Sequence, residues 1–253
     1  MVAHRARAGE ARRKGDAVVR TELAEETVAK WKLSNLPLFA GLDENQQTWL
    51  RARLHARTFG AGVDVIVTGP PGEVVYFIVS GTMKVYAPQP DGTDVIVAIL
   101  AAGDPVGELS LVDRAGRSAN VVTLEDTTVL WMDRRDFQEA LARMPALSQN
   151  LLRILSQRLR NTTHHIQVLA SLDVSQRIIR QLLALAERYG QKNARGEVFI
   201  PIRLTQGDLS ELVGASRKRV NQTMVTLKRR GLVAIDSSYH ITILKPAALA
   251  ECL

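Results

Sequence analysis

Two short stretches of this 253-residue chain hold residue types at spacings that can do chemistry. In Ala102-Gly103-Asp104-Pro105-Val106-Gly107-Glu108-Leu109-Ser110, two glycines allow close backbone approach. The residues after Gly107 can open a short helix whose free amide groups face an anion. Glu108 offers a carboxylate for ribose hydroxyls, Arg117 a forked cation for a phosphate, and Ser118 a hydroxyl donor. A solvated surface loop with an Arg-Glu pair would hold the same residues, so both readings stand on this stretch alone.

The second stretch runs from Leu204 to Gly231. Thr205 can cap a helix, and Asp208, three residues on, can answer with a carboxylate near the helix amino end. Leu209, Leu212 and Val213 supply an apolar stripe, and Gly214 permits a tight turn. Ser216 is placed to cap a second helix carrying Arg217, Lys218, Arg219, Asn221, Gln222, Lys228, Arg229 and Arg230. Val220, Met224 and Leu227 form that helix's inner face. Most of the chain's net charge of +7 gathers here, which is the footprint of phosphate binding. Charge alone would fit a helical hairpin with a solvated basic face; the capped turn and the Arg-Lys-Arg opening favour a DNA-reading helix-turn-helix. Leu232 to Ile235 and Tyr239 to Leu244, around Asp236-Ser237-Ser238, read as two strands forming a wing.

The elements that must position these stretches have distinct textures. Val63 to Val67, Val74 to Val79, Met83 to Tyr86, Val95 to Leu100, Ala119 to Thr123 and Thr128 to Met132 are strand candidates separated by glycines. Antiparallel pairs joined this way make a sandwich or jelly roll. Asn35 to Arg53 reads as helical after Pro37. From Pro145 to about Ala170 no Gly or Pro intervenes, giving a helix of about 39 Å. Along it Leu152, Leu155, Leu159, Thr162, Ile166 and Leu169 recur in steps of three and four, as in a two-helix seam. A helix face packed on the β domain would produce the same stripe. Asp173 can cap the next helix with Gln176, which places a hinge where the long helix ends.

Composition narrows the function classes. At 46% hydrophobic residues the chain can bury real cores, and no apolar run is long enough to span a bilayer. A soluble, cytoplasmic protein without membrane association is expected. The basic start, with Arg5, Arg7, Arg12, Arg13 and Lys14, has no apolar segment of a secretory signal and reads as a disordered basic arm over 1–20. Cys252 is the only thiol, so no disulfide within the chain, thiolate cluster or iron-sulfur site can form from it. His164 and His165 are adjacent on a helix and diverge, which argues against a metal. The carboxy-terminal 80 or so residues hold no convincing nucleophile-base set, so no enzyme is expected.

Gly107, Glu108, Leu109 and Ser110 with Arg117 and Ser118, set in a β domain, resemble the phosphate-binding cassette of cyclic-nucleotide-binding domains. With the carboxy-terminal helix-turn-helix, the chain resembles the CRP/FNR family of bacterial transcription regulators over about residues 34–246. The resemblance implies an α+β fold: an amino-terminal antiparallel, jelly-roll-like β-roll (21–144), a long dimerisation helix (145–171) and a carboxy-terminal winged helix-turn-helix (172–253). It implies a homodimeric regulator controlled by a cyclic nucleotide, cyclic AMP first, with cyclic GMP or cyclic di-GMP left open. A regulator of the same fold that ignores nucleotides is the alternative. The partners implied are duplex DNA with two-fold related half-sites and RNA polymerase. Thr162 and Thr163 lie where cyclic AMP-binding members use a Thr-Ser pair to meet adenine from both subunits. Thr205, Gln206, Ser216, Arg217, Lys218, Arg219, Asn221, Gln222 and Lys228 would face DNA, with Arg217 the expected guanine reader. Lys218 departs from the family's common glutamate and Gln222 from its frequent arginine, so the family's familiar operator is not implied.

Overall fold

The computed structural model describes residues 19–23, 28, 31–90, 93–113 and 115–253. The arm expected over 1–20 therefore lies, Val19 and Arg20 apart, outside the described residues. Strands β1 (Val19–Leu23), β2 (His55–Phe59), β3 (Asp64–Ile66), β4 (Val74–Ser80), β5 (Thr82–Pro88), β6 (Asp94–Ala101), β7 (Pro105–Val106), β8 (Asn120–Thr123) and β9 (Thr127–Asp133) form two antiparallel sheets. Their orders are β1-β2-β9-β4-β7 and β3-β8-β5-β6. Alternation along each strand turns one set of side chains inward, so Phe59, Ile78, Met83, Leu100, Val121 and Val129 meet between the sheets. Gly81, at φ +88°, turns β4 into β5 where a Cβ would strike Thr127.

A second core lies between the outer face of the first sheet and helices. Helix α1 (Glu44–Arg51) starts at an Asp43–Gln46 capping box, α2 (Leu109–Val112) follows β7, and α3 (Arg134–Arg143) starts at Asp133. Phe77 stands in the middle of this core, with its ring centroid 4.8 Å from that of Phe39 and 6.3 Å from that of Phe137. The long helix α4 (Pro145–Ser171) is anchored to it by Leu147 and Leu151 and then leaves the body.

The last third of the chain builds a third core, which Ile96, Ile99 and Leu124 of the β-roll join. Helices α5 (Val174–Tyr189), α6 (Gln206–Val213), α7 (Arg217–Arg229) and α8 (Pro246–Ala250) surround a small sheet of order β10-β11-β13-β12. Its strands are β10 (Gln191–Lys192), β11 (Val198–Ile200), β12 (Val233–Ile235) and β13 (Ile241–Ile243). Asp173 and Gln176 form the expected capping box on α5, and Thr205 with Asp208 does so on α6. Gly214 takes the left-handed conformation, at φ +60°, and Ser216 caps α7. Val220, Met224 and Leu227 are buried as the stripe required.

Three expectations need correction. The helix read over Asn35 to Arg53 is broken into 3-10 turns at Leu33–Asn35 and Pro37–Phe39 and then α1, because Pro37 and a left-handed Gly41 interrupt it. Strands β1, β2, β7, β10 and β11 were not among the candidates, and β1 takes in Val19 and Arg20 from the expected disordered arm; Arg57 breaks the apolar alternation of β2, and β7 and β10 have two residues each. The α4 stripe also divides. Leu155 packs on the second core and Leu169 is half-buried beside Gly214, whereas Leu152, Leu159 and Ile166 are 65%, 69% and 62% exposed.

Phe77→Ala would empty the centre of the second core and lower stability by about 3–5 kcal/mol. Chemical denaturation followed by tryptophan fluorescence measures this; a shift below about 1 kcal/mol would show the core is not where the amino-terminal domain draws its stability.

Candidate functional site

The Gly107–Ser110 stretch folds back against Arg117, and glycine is what makes this possible. Gly107 is left-handed (φ +83°), and a Cβ there or on Gly72 would collide with the Arg117 guanidinium. Arg117 fills that slot: it donates through Nη1 to the Gly107 carbonyl (2.5 Å) and Ser110 Oγ (2.8 Å), and through Nη2 to the Val74 carbonyl (2.7 Å). Burial pulls its pKa down, while Tyr76 and Glu108 pull it back up.

Glu108 is 1% exposed, so its carboxylate must find a cation or hydrogen-bond donors. Arg158 of α4 supplies them, with Nη1 2.6 Å from Glu108 Oε1 and Nη2 2.6 Å from the Pro105 carbonyl. Arg158 was not among the sequence candidates. A lone arginine on a helix rich in polar residues carries no signal until the fold brings it to the cassette.

Glu108, Ser110, Arg117 and Ser118 line one cavity of about 80 Å³ with Ile66, Val85, Leu100, Val121 and Arg158. Gly107 and Leu109 border it as well, and Leu109 is half-exposed. Thr162 and Thr163 sit one helical turn beyond Arg158, exposed, with their hydroxyls donating to the Arg158 and Leu159 carbonyls (3.0 Å each). They are not among the residues lining the cavity. A carboxylate, a guanidinium and a serine pair around a left-handed glycine fit a sugar phosphate, because they supply an acceptor for hydroxyls and fixed donors for an anion. Small-ligand pockets usually hold about 300–1,000 Å³, so entry of one here requires the walls to part.

The second site lies on α6, α7 and the wing. Arg217, Lys218, Arg219, Asn221, Gln222 and Lys228 are all exposed on α7, while its inner face is buried. Gln206, at the start of α6, donates from Nε2 to Asn221 Oδ1 (3.1 Å), and Thr205 and Ser216 act as the two helix caps. A cleft of about 560 Å³ opens between the α6 amino terminus, Arg217, Lys228 and the wing residues Ile235, Asp236 and Tyr239. Tyr239 holds φ +66°, the only described non-glycine residue with positive φ, and the Arg203 guanidinium lies 5.1 Å from its ring centroid. A bulky side chain in that conformation costs about 1–3 kcal/mol, which marks the wing tip as a place the fold holds under strain. Sequence reading placed Tyr239 only in a strand.

The described residues contain no group of three or more side chains that could hold a metal, and none of their helices is long and apolar enough to cross a membrane. His164 accepts from Arg180 Nε (3.1 Å), and His165 has its pKa lowered by burial, with His164 and Arg177 adding to the effect.

A small cavity in a β-roll lined by Glu108 and Arg117, a long helix whose Arg158 lines it too, and a basic winged helix-turn-helix are the parts of a regulated DNA-binding protein. The chain matches the cyclic nucleotide-binding domain family over residues 56–144 and the Crp-like helix-turn-helix domain family over residues 176–252. It is 33% identical over 204 residues to the CRP-like cAMP-activated global transcriptional regulator of Mycobacterium tuberculosis, covering 81% of this chain and 91% of that one. It is 28% identical to the cyclic AMP receptor protein of Thermus thermophilus, covering 79% and 88% of the two chains. Among solved structures, the c-di-GMP responsive regulator CLP of Xanthomonas campestris shares the fold (TM-score 0.65, 23% identity, 80% and 100% covered). FixK2 of Bradyrhizobium japonicum does so too (TM-score 0.68, 18% identity, 78% and 96% covered). The chain belongs to the CRP/FNR family of transcription regulators. The curated relatives that it matches are named as regulators, cAMP-activated transcriptional regulators among them.

Arg158→Ala would leave the Glu108 carboxylate buried without its cation. The expected loss is about 3 kcal/mol of stability, the usual consequence of breaking a buried pair from one side. Thermal unfolding at neutral pH reads it, and an unchanged midpoint would mean that water or another donor already satisfies Glu108.

Proposed function

We propose that this chain is a homodimeric transcription regulator whose affinity for DNA is set by cyclic AMP, acting in the cytoplasm on operators with two-fold related half-sites. The observation that carries the reading is the Glu108–Arg158 contact. The pocket carboxylate is held by a residue of α4, so any group that takes hydrogen bonds to Glu108 changes how the cassette grips that helix. Three lines support the rest. Leu152, Leu159 and Ile166, seven residues apart and exposed, give α4 an apolar stripe suited to a second copy of itself. Glu108 and Arg117 with Ser118 match ribose and cyclic phosphate in chemistry. Relatives of known function include cAMP-activated regulators.

Binding would proceed by exchange. Arg117 gives up the Gly107 and Val74 carbonyls for a phosphate, Glu108 accepts from a ribose hydroxyl, and Gly107 lets the backbone come close. Thr162 and Thr163, one turn beyond Arg158, would meet the base at the seam and so join binding to helix alignment. On DNA, Arg217 reads a guanine and Gln222 suits adenine, while Thr205, Gln206, Ser216, Lys218, Arg219, Asn221 and Lys228 make the remaining contacts. RNA polymerase is the expected protein partner. The working domains are 21–144, 145–171 and 172–253.

One observation favours a second reading, a regulator indifferent to nucleotides: Arg117 is already satisfied by protein groups, and the cavity is small. Cyclic di-GMP is tested beside cyclic AMP because the Xanthomonas regulator of the same fold is described as c-di-GMP responsive, and cyclic GMP because it differs from cyclic AMP only in its base.

Calorimetric titration of the purified protein with cyclic AMP, cyclic GMP and cyclic di-GMP tests the proposal. Cyclic AMP should bind, and Arg117→Ala should lose about 10- to 150-fold in affinity, the equivalent of a charge-assisted hydrogen bond of about 1.5–3 kcal/mol. Heat from none of the three would establish the second reading. With an operator in hand, Arg217→Ala should lose about 1–3 kcal/mol and relax preference at one base pair, read by binding to single-substituted duplexes.

A further inference from the structure

The reading head does not hang from α4 by its hinge alone. It is docked on the β-roll of its own chain through two partly buried clusters of charged side chains with an apolar contact beside them. At the first point, Lys84 of β5, with its side chain 14% exposed, reaches Asp208 (3.3 Å) and Glu211 (2.9 Å) of α6. Asp208 is also the carboxylate of the α6 cap, where its other oxygen accepts from the Thr205 amide (3.0 Å) and hydroxyl (2.6 Å). The Lys84 ammonium is therefore tied directly to the start of the helix-turn-helix. Burial pulls its pKa down, and the hydrogen bond and charge of Glu211 with those of Asp208 outweigh this, leaving it raised.

At the second point, Asp104, 8% exposed, lies four residues before Glu108 in the cassette loop. It accepts from Arg188 Nη2 (2.5 Å) and the Tyr189 hydroxyl (2.8 Å) at the end of α5. Ile96, Ile99 and Leu124 of the β-roll join the same apolar cluster as the winged domain's own core. Gln206, Arg217, Lys218, Asn221 and Gln222 stay exposed.

We propose that Lys84 is a positioning residue for DNA binding, fixing the helix-turn-helix on the β-roll in the arrangement that leaves the reading face of α7 free. It also neutralises Asp208 and Glu211, the two carboxylates of a unit that must approach phosphates. Because Asp104 belongs to the cassette loop, the same joint places the head in contact with the element that carries Glu108. This rests on the reading that the chain binds DNA, and a DNA-free measurement separates the two.

The test uses the full-length protein as parent, Lys84→Glu, Glu211→Lys and the double variant, with Lys32→Glu as an exposed-site control of equal charge change. The DNA probe is a duplex enriched by the parent from a random 30-base-pair pool. Lys84→Glu should weaken DNA binding about tenfold beyond the control and raise amide hydrogen exchange across α6 and β5–β6, a coupling within the usual 5- to 150-fold range. The double variant should recover most of both effects, which a general folding defect would not allow. Lys84→Glu with the control's affinity, or a double variant as weak as its two single changes added together, would overturn the proposal. If the parent enriches no duplex, the DNA reading itself fails. The exchange measurement still decides the joint: unchanged protection in Lys84→Glu overturns it.

Discussion

A carboxylate with 1% of its surface exposed cannot stay charged without a partner, and Glu108 takes that partner from another element. Arg158 reaches across from α4, and in doing so also closes on the Pro105 carbonyl that precedes the cassette. The consequence is mechanical. The loop that can hold an anion and the long helix that leaves the β-roll share one ion pair, so neither can shift without the other. The local dielectric raises the stakes, since a pair of this kind is expensive to separate and forgiving only of concerted movement.

The rest of the molecule transmits that constraint. The α4 helix ends at Leu172, where the Asp173 capping box starts α5 at once, so there is little slack between the long helix and the winged domain. Arg177 tightens the corner by donating to the Leu172 and Leu169 carbonyls (2.9 Å each). On the other side Asp104, in the same loop as Glu108, holds Arg188 and Tyr189. The cassette thus faces the reading head by two routes, one through α4 and one directly. A ligand acts on such a network only through its different affinity for two arrangements, and the proposed exchange of Arg117 and Glu108 partners would supply that difference.

Much of the architecture was legible in the sequence because its signals were local. Thr205–Asp208, Asp173–Gln176, Gly214 and Ser216 form the caps and the turn they were expected to form, since capping depends on residues three or four apart. The uninterrupted run after Pro145 became a single 27-residue helix for the same reason. What was missed was non-local. β2, with His55, Arg57 and Thr58 among its five residues, carries no clear apolar alternation, yet it is held by β1 and β9, whose pairing no short window displays. Arg158 acquires its importance from Glu108, fifty positions away, and Lys84 from α6 even further along the chain. The split of the α4 stripe is of this kind too: periodicity told that one face is apolar, but only packing shows that Leu155 turns to the β-roll while Leu152, Leu159 and Ile166 face outward.

In the proposed mechanism occupancy of the Glu108 pocket and affinity at the α7 surface are linked, and linkage between two binding equilibria is reciprocal. The most direct measurement is the cyclic AMP dissociation constant of the full-length protein with and without saturating operator duplex, set beside the operator dissociation constant with and without saturating cyclic AMP. The same factor is expected in both directions, about 5- to 150-fold. A factor of one in both, with cyclic AMP bound, would contradict the mechanism.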